Sequence, residues 1–210
     1  MKNLILAAAA IVIIGAGPAA AQNEFNKQRK ALSSGELAQR LDAVSYFSGL
    51  GTEAAYAVMI DLFAGQTNPY TKIRIVESMD VARSSAAYAA VFSALNDPSP
   101  QVRQAAVISL ARHPSPVLFA DKFGVMLASD TSRAVRMSIL NSLSLSPSSS
   151  SAAAIEAALA DRGADPDLRL MAVKSLGRMG IPEAAAIARK YTADPDPEVK
   201  RTAAAIAAKK

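Results

Sequence analysis

The chain contains no cysteine and no tryptophan, a single histidine, and only 5% aromatic residues among its 210. Each shortage removes a class of chemistry. Without cysteine there is no disulfide, no thiol nucleophile and no thiolate-ligated metal, so packing alone must hold the fold. One histidine, His113, cannot assemble a metal or nucleophile constellation by itself. Its place just after a helix ending near Arg112 suits a cation at a helix C-terminus. Charge of one sign is scarce too. The 23 basic and 18 acidic residues leave a formal net charge of +5, mixed along the chain, which is not a nucleic-acid footprint. Gly-x-Ser-x-Gly elbows, phosphate-binding Gly-Lys-Ser/Thr loops and dinucleotide glycine patterns are missing. The acidic groups at 161–167 and 194–197 lack EF-hand spacing with a closing glutamate. No catalytic residue, cofactor or metal is expected, and no stretch of period-two alternation predicts a sheet.

Long apolar runs are absent except at the start. Lys2 is followed by an unbroken apolar run from Leu4 to Ile14, then Gly15, Gly17 and Pro18 as helix breakers, and then Ala19-Ala20-Ala21. This is the three-part layout of a secretory signal with cleavage after Ala21; the alternative is a retained membrane anchor. No cysteine follows the run, which excludes a lipid-attached form. The expected organisation is residues 1–21 as signal peptide, 22–32 as a polar segment or capping helix around Phe25, and 33–210 as a repeat domain. The expected location is periplasmic or secreted, with no integral membrane segment after cleavage.

What the chain does have is a register. Arg40, Lys72, Arg103, Arg136, Arg169 and Lys200 are spaced by 32, 31, 33, 33 and 31 residues. Four residues before each base stand Glu36, Asn68, Ser99, Ser132, Asp165 and Asp196, all but the first good helix N-caps. Pro69, Pro100, Pro166 and Pro197 follow at the first helical position, where a missing N–H costs nothing. Four residues after the base come Val44, Val76, Val107, Leu140, Val173 and Ala204; seven after it come Phe47, Met79, Leu110, Leu143, Leu176 and Ala207. These mark one buried helix face. A second helix is marked at sixteen by Tyr56, Tyr88 and Phe119, and at twenty-three by Phe63, Leu95, Met126 and Leu159. The shared register makes these tyrosines core positions. Ser148 to Ser151 reads as a solvated interhelix loop, and Ala43, Ala106, Ala172 and Ala203 as sites of close helix approach.

Asp165-Pro166-Asp167-Leu168-Arg169 with Ala172-Val173 and Leu176-Gly177 resembles the short bacterial HEAT-type repeat. So does Asn96-Asp97-Pro98-Ser99-Pro100-Gln101-Val102-Arg103 with Ala105-Ala106-Val107 and Leu110. The same version occurs in phycocyanobilin lyases and in many helical adaptor proteins. The resemblance covers residues 33 to 208 and implies an all-α, right-handed α-solenoid of about five helical hairpins plus a terminal helix. It also implies that the repeated base pairs with acids between turns, here Asp97, Asp165, Asp194 and Asp196. The expected function is an exported, non-enzymatic scaffold that binds a protein or peptide of the cell envelope along its second helices. Candidate contacts are Glu53, Asp61, Asp121, Lys122, Glu156, Arg189 and Lys190. A bilin lyase-like enzyme and a purely structural envelope component are the alternatives. Nucleic acid is not an expected partner.

Overall fold

A computed structural model describes residues 17–79, 84–160 and 165–208. The apolar run Leu4–Ile14 and the acidic residue Asp161 lie outside them. All regular structure among the described residues is helical. The helices are α1 (Pro18–Ser34), α2 (Leu37–Leu50), α3 (Glu53–Gly65), α4 (Pro69–Ser78), α5 (Ser85–Ser93), α6 (Pro100–Leu110), α7 (Ala120–Ser129), α8 (Arg133–Leu145), α9 (Ser149–Leu159), α10 (Pro166–Met179), α11 (Pro182–Arg189) and α12 (Pro197–Ala207). After α1, they fall into five pairs and a terminal helix, as the register predicts. The chain divides into two compact units at Ser93/Ala94.

The predicted helix starts are real, though two work differently from expectation. Asn68, Ser132, Asp165 and Asp196 accept backbone N–H groups of the first turn through their side chains. Ser99 does not; its hydroxyl donates to Gln101 Oε1 instead (2.8 Å). Glu36, a poor cap by residue type, closes a capping box with Gln39. The serine run is a helix start rather than a loop. Ser148 caps α9, and Ser151, wholly buried, donates to the Ser146 carbonyl (2.8 Å).

In the first unit α1 packs on α2 and α3, α2 on α4, and α3 on α5. Ala21, Phe25 and Leu32 of α1 are buried, and Phe25 meets Phe47 edge-on with ring centroids 5.0 Å apart. In the second unit the first helices α6, α8, α10 and α12 form one row, each against the next. The second helices α7, α9 and α11 form another, with cross-packing between rows. This is α-solenoid packing: no hairpin covers its own apolar stripe, so each depends on its neighbour.

The predicted stripe is buried from Val44 and Phe47 through Val173 and Leu176, each such side chain contributing roughly 1.5–3 kcal/mol of transfer free energy. Tyr56 and Phe119 are core residues; Tyr88 and Phe63 are only half-buried. The stripe slips in the last helix. Ala204 and Ala207 are not buried; Val199, Ala203 and Ile206 are. The slip has a cause, because after Val199 the only bulky apolar side chain of α12 is Ile206. It sits where Gly177 leaves room: a Cβ on Gly177 would lie 2.7 Å from Ile206 Cδ1. Gly180 (φ 65°) ends α10 in the left-handed region, and Pro182 opens α11.

Candidate interaction surface

Two of the repeated bases, Arg103 and Arg169, clamp consecutive repeats together. Arg103 on α6 donates from Nε and Nη2 to the two carboxylate oxygens of Asp130 (2.7 and 2.8 Å). Its Nη1 donates to the carbonyls of Asp97 and Pro98 (2.9 and 3.1 Å). Arg169 on α10 grips Asp194 in the same way (3.3 and 3.1 Å), with both side chains almost wholly buried. The aspartate stands two residues before the next N-cap and also accepts that cap's backbone N–H: Ser132 on Asp130 (2.8 Å), Asp196 on Asp194 (2.9 Å). Asp97 accepts Ser99 N–H in the same manner (2.9 Å). One carboxylate thus orders a helix start and clamps the previous repeat.

Of the four acids the resemblance put forward, Asp194 fills this role. Asp165 instead meets Arg133 (3.2 Å) on the surface, and Asp196 is a cap. Asp130, which sequence reasoning passed over, takes the other rung. Burial alone would raise the Asp130 pKa. Hydrogen bonds from Arg103 and the Ser132 N–H, with the charges of Arg103 and Arg136, outweigh it and hold the carboxyl below its ordinary value. The Asp130 hydrogen bond pushes Arg103 upward, against the opposing effect of burial.

The seven residues expected to meet a partner lie on second helices or at their ends. Glu53 and Asp61 are exposed on α3 of the first unit; Glu53 Oε2 accepts from Ser84, the residue before α5 (3.1 Å). Asp121 is exposed in the first turn of α7, and neighbouring Lys122 donates to Asn96 Oδ1 (3.1 Å). Glu156 on α9 and Lys190 after α11 are brought together as an ion pair. Arg189 lines a groove of about 440 Å³ with Gly177, Ile181, Pro182 and Ile206. Several of these groups therefore already tie one repeat to the next. His113 Nδ1 accepts the Ser115 N–H (3.0 Å), and its ring stands edge-on to Phe119, 5.6 Å away.

A different feature of the second unit faces solvent with its chemistry uncommitted. Between first helices α6 and α8 runs a groove of about 410 Å³ lined by Ile108, Ala111, Ala134, Met137 and Leu145, with Gln104, Arg112, Ser138, Asn141 and Ser142. Ile108 is 40% exposed and Leu145 70%. Much of the polar lining is internally satisfied. Gln104 Nε2 donates to Ser138 Oγ across the groove (2.9 Å), and Ser142 Oγ folds back onto the Ser138 carbonyl (2.8 Å). What remains is an aliphatic floor whose volume falls in the roughly 300–1,000 Å³ range of ligand clefts. The sequence signal for it was available. Five residues after the base stand Ser45, Glu77, Asn141 and Lys174 in four other repeats and Ala205 in the last, but the bulky Ile108 here. Nine after it, Leu145 stands where neighbouring repeats place Arg112 and Arg178.

A family model of HEAT repeats matches residues 88–165 and 157–209, together more than half of the chain. No curated protein matches. Among solved structures, human deoxyhypusine hydroxylase in complex with glycerol is similar at 14% identity, over 91% of this chain and 98% of that one, with a TM-score of 0.42.

Proposed function

This chain belongs to the HEAT-repeat family, and we propose that it is an exported, non-enzymatic scaffold that holds a protein partner in the cell envelope or periplasm. The observation that carries the binding reading is the α6–α8 groove. Ile108 and Leu145 stand in water at register positions where polar residues would serve solubility better. Export is supported by the apolar run Leu4–Ile14 followed by the small residues Ala19-Ala20-Ala21. The second-helix row keeps a share of the reading through exposed Asp121 and Arg189.

The test is in-cell photocrosslinking followed by cell fractionation. A photoreactive residue is placed in turn at Ile108 and Leu145 on the first-helix row, and at Ala157 and Ala186 on the second. A discrete adduct to one protein, recovered from the envelope or periplasmic fraction, is the expected result. Absence of any adduct from all four positions overturns the scaffold reading and favours a purely structural component. Recovery of the chain only with the cytosol overturns export.

A further inference from the structure

The α6–α8 groove has a polarity that says what kind of segment it takes. Its ten lining residues include Arg112 and no carboxylate. Arg178, on the next first helix, donates to the lining residue Asn141 (Nη1 to Oδ1, 3.3 Å) and so stands at the same rim. Lys174, one turn before it on α10, is exposed. The acids of these helices lie at the opposite, N-terminal ends: Asp167 opens α10 and binds Arg133 (2.8 Å), which pairs with Asp165 as well. Among the described residues, the surface therefore runs from a charge-balanced end, where Arg133 faces two carboxylates, to the C-terminal ends of the helices, which carry Arg112, Lys174 and Arg178; the acid that follows α10, Glu183, is held by the Ser149 hydroxyl (3.1 Å). The carbonyl ends of α6 and α8 do not reverse this, since three full charges exceed their partial ones.

We propose that this groove binds an acidic, aliphatic peptide segment of a partner protein: apolar side chains on Ile108, Met137 and Leu145, and Asp or Glu side chains against Arg112 and Arg178. The inference rests on the scaffold reading above and deepens it by naming the partner's chemistry. Apolar burial supplies affinity and the arginine end sets direction and register. Arginine suits that task because its planar fork accommodates carboxylates by paired hydrogen bonds. A basic segment is rejected there, since like charges brought together on desolvation are costly.

The experiment uses the full-length chain, immobilised and panned against a library of random dodecapeptides displayed by their C-termini, so that no free terminal carboxylate contributes and every acid is a side chain. Enriched peptides are expected to carry two or more aliphatic or aromatic residues beside Asp or Glu. Leu145→Asp, at a position already 70% exposed and so harmless to folding, is expected to weaken the best of them about tenfold or more. Arg112→Glu is expected to remove most of the acidic preference from the selected set while circular dichroism and the thermal midpoint stay unchanged. Enrichment of basic or uncharged peptides, binding indifferent to both variants, or preferential binding to anionic phospholipid vesicles over peptides would overturn the proposal. The two readings separate cleanly. Crosslinking at Ile108 with no acidic preference in the selection sinks the partner chemistry alone; absence of adducts in cells sinks the scaffold.

Discussion

In the second unit Arg103 and Arg169 each grip an aspartate of the following repeat through two hydrogen bonds, whereas in the first unit Arg40, at the same register position, reaches a threonine hydroxyl and the Gly35 carbonyl. The separation from base to aspartate is 27 residues for Arg103–Asp130 and 25 for Arg169–Asp194. The residue 26 after Arg40 is Gln66, whose amide donates to the Leu32 carbonyl of α1 (3.3 Å). A position can keep its base while losing the partner that gave the base its purpose. The first unit compensates with aromatic packing. Phe47 meets both Phe25 and Tyr46 edge-on, at 5.0 and 5.2 Å and nearly perpendicular. Such pairs add about 0.5–1.5 kcal/mol each beyond their burial.

The largest expected effect is at the most buried rung. Arg169→Ala leaves Asp194 charged, 2% exposed and without its guanidinium, a loss of about 3–5 kcal/mol in urea unfolding. Arg103→Ala should fall somewhat below it, because that guanidinium is 14% exposed. Arg40→Ala, which removes two neutral-acceptor hydrogen bonds, should cost about 1 kcal/mol. Equal losses at Arg40 and Arg169 would erase the distinction between the units.

Acid should act on the same contrast. The Asp130 pKa is lowered on folding from an unfolded value of about 3.9. Its contribution to stability is therefore present above that value and is lost as the pH falls through the depressed folded one. Asp130→Asn should be clearly less stable than the parent at neutral pH, with the gap closing as unfolding is repeated at progressively lower pH. A gap that widens in acid would mean that Asp130 is not the stabilised carboxylate.

The comparison can be sharpened by building the missing rung. Gln66→Asp places a carboxylate two residues before the Asn68 cap and 26 after Arg40, within the 25–27 spacing of the observed pairs. The Gln66–Leu32 hydrogen bond is lost, and a charge-assisted pair plus a cap contact is gained. The net expectation is a stabilisation of about 1 kcal/mol, read as a higher urea midpoint. A lower midpoint would show that the first unit is organised around its glutamine rather than merely lacking an aspartate.

How much of this was legible follows from what a register can carry. Helix starts were legible because cap, proline and apolar residues act within one turn of each other, and Asn68, Asp165 and Asp196 cap as expected. Asp130 was missed because its partner lies 27 residues away and its local sequence resembles any other turn. In α12 the close approach at Ala203 is where the register put it, but the stripe positions Ala204 and Ala207 are not buried and Ile206 is, because methyl side chains at those positions have little to bury. Tyr88 matches Tyr56 in register, yet it is half-buried where Tyr56 is buried. The α6–α8 groove was overlooked because residues off the stripe were read only for charge, while Ile108 and Leu145 carry their information by being apolar.

The smallest effect expected is at the rung between second helices, where Glu156 and Lys190 pair with side chains 33% and 61% exposed. Their hydrogen bond raises the Lys190 pKa, yet both groups keep much of their hydration, and holding two long side chains in one geometry offsets the attraction. Glu156→Gln should leave the urea midpoint unchanged within error, in low salt as in high. Arg169 and Asp194 share two hydrogen bonds in a nearly dry site, whereas Lys190 and Glu156 share one in water. A measurable loss from Glu156→Gln, approaching that of Arg40→Ala, would mean that burial does not separate the two kinds of rung. An unchanged midpoint, together with an altered set of crosslinks from Ala157 or Ala186, would place Glu156 and Lys190 in partner binding rather than in holding the repeats together.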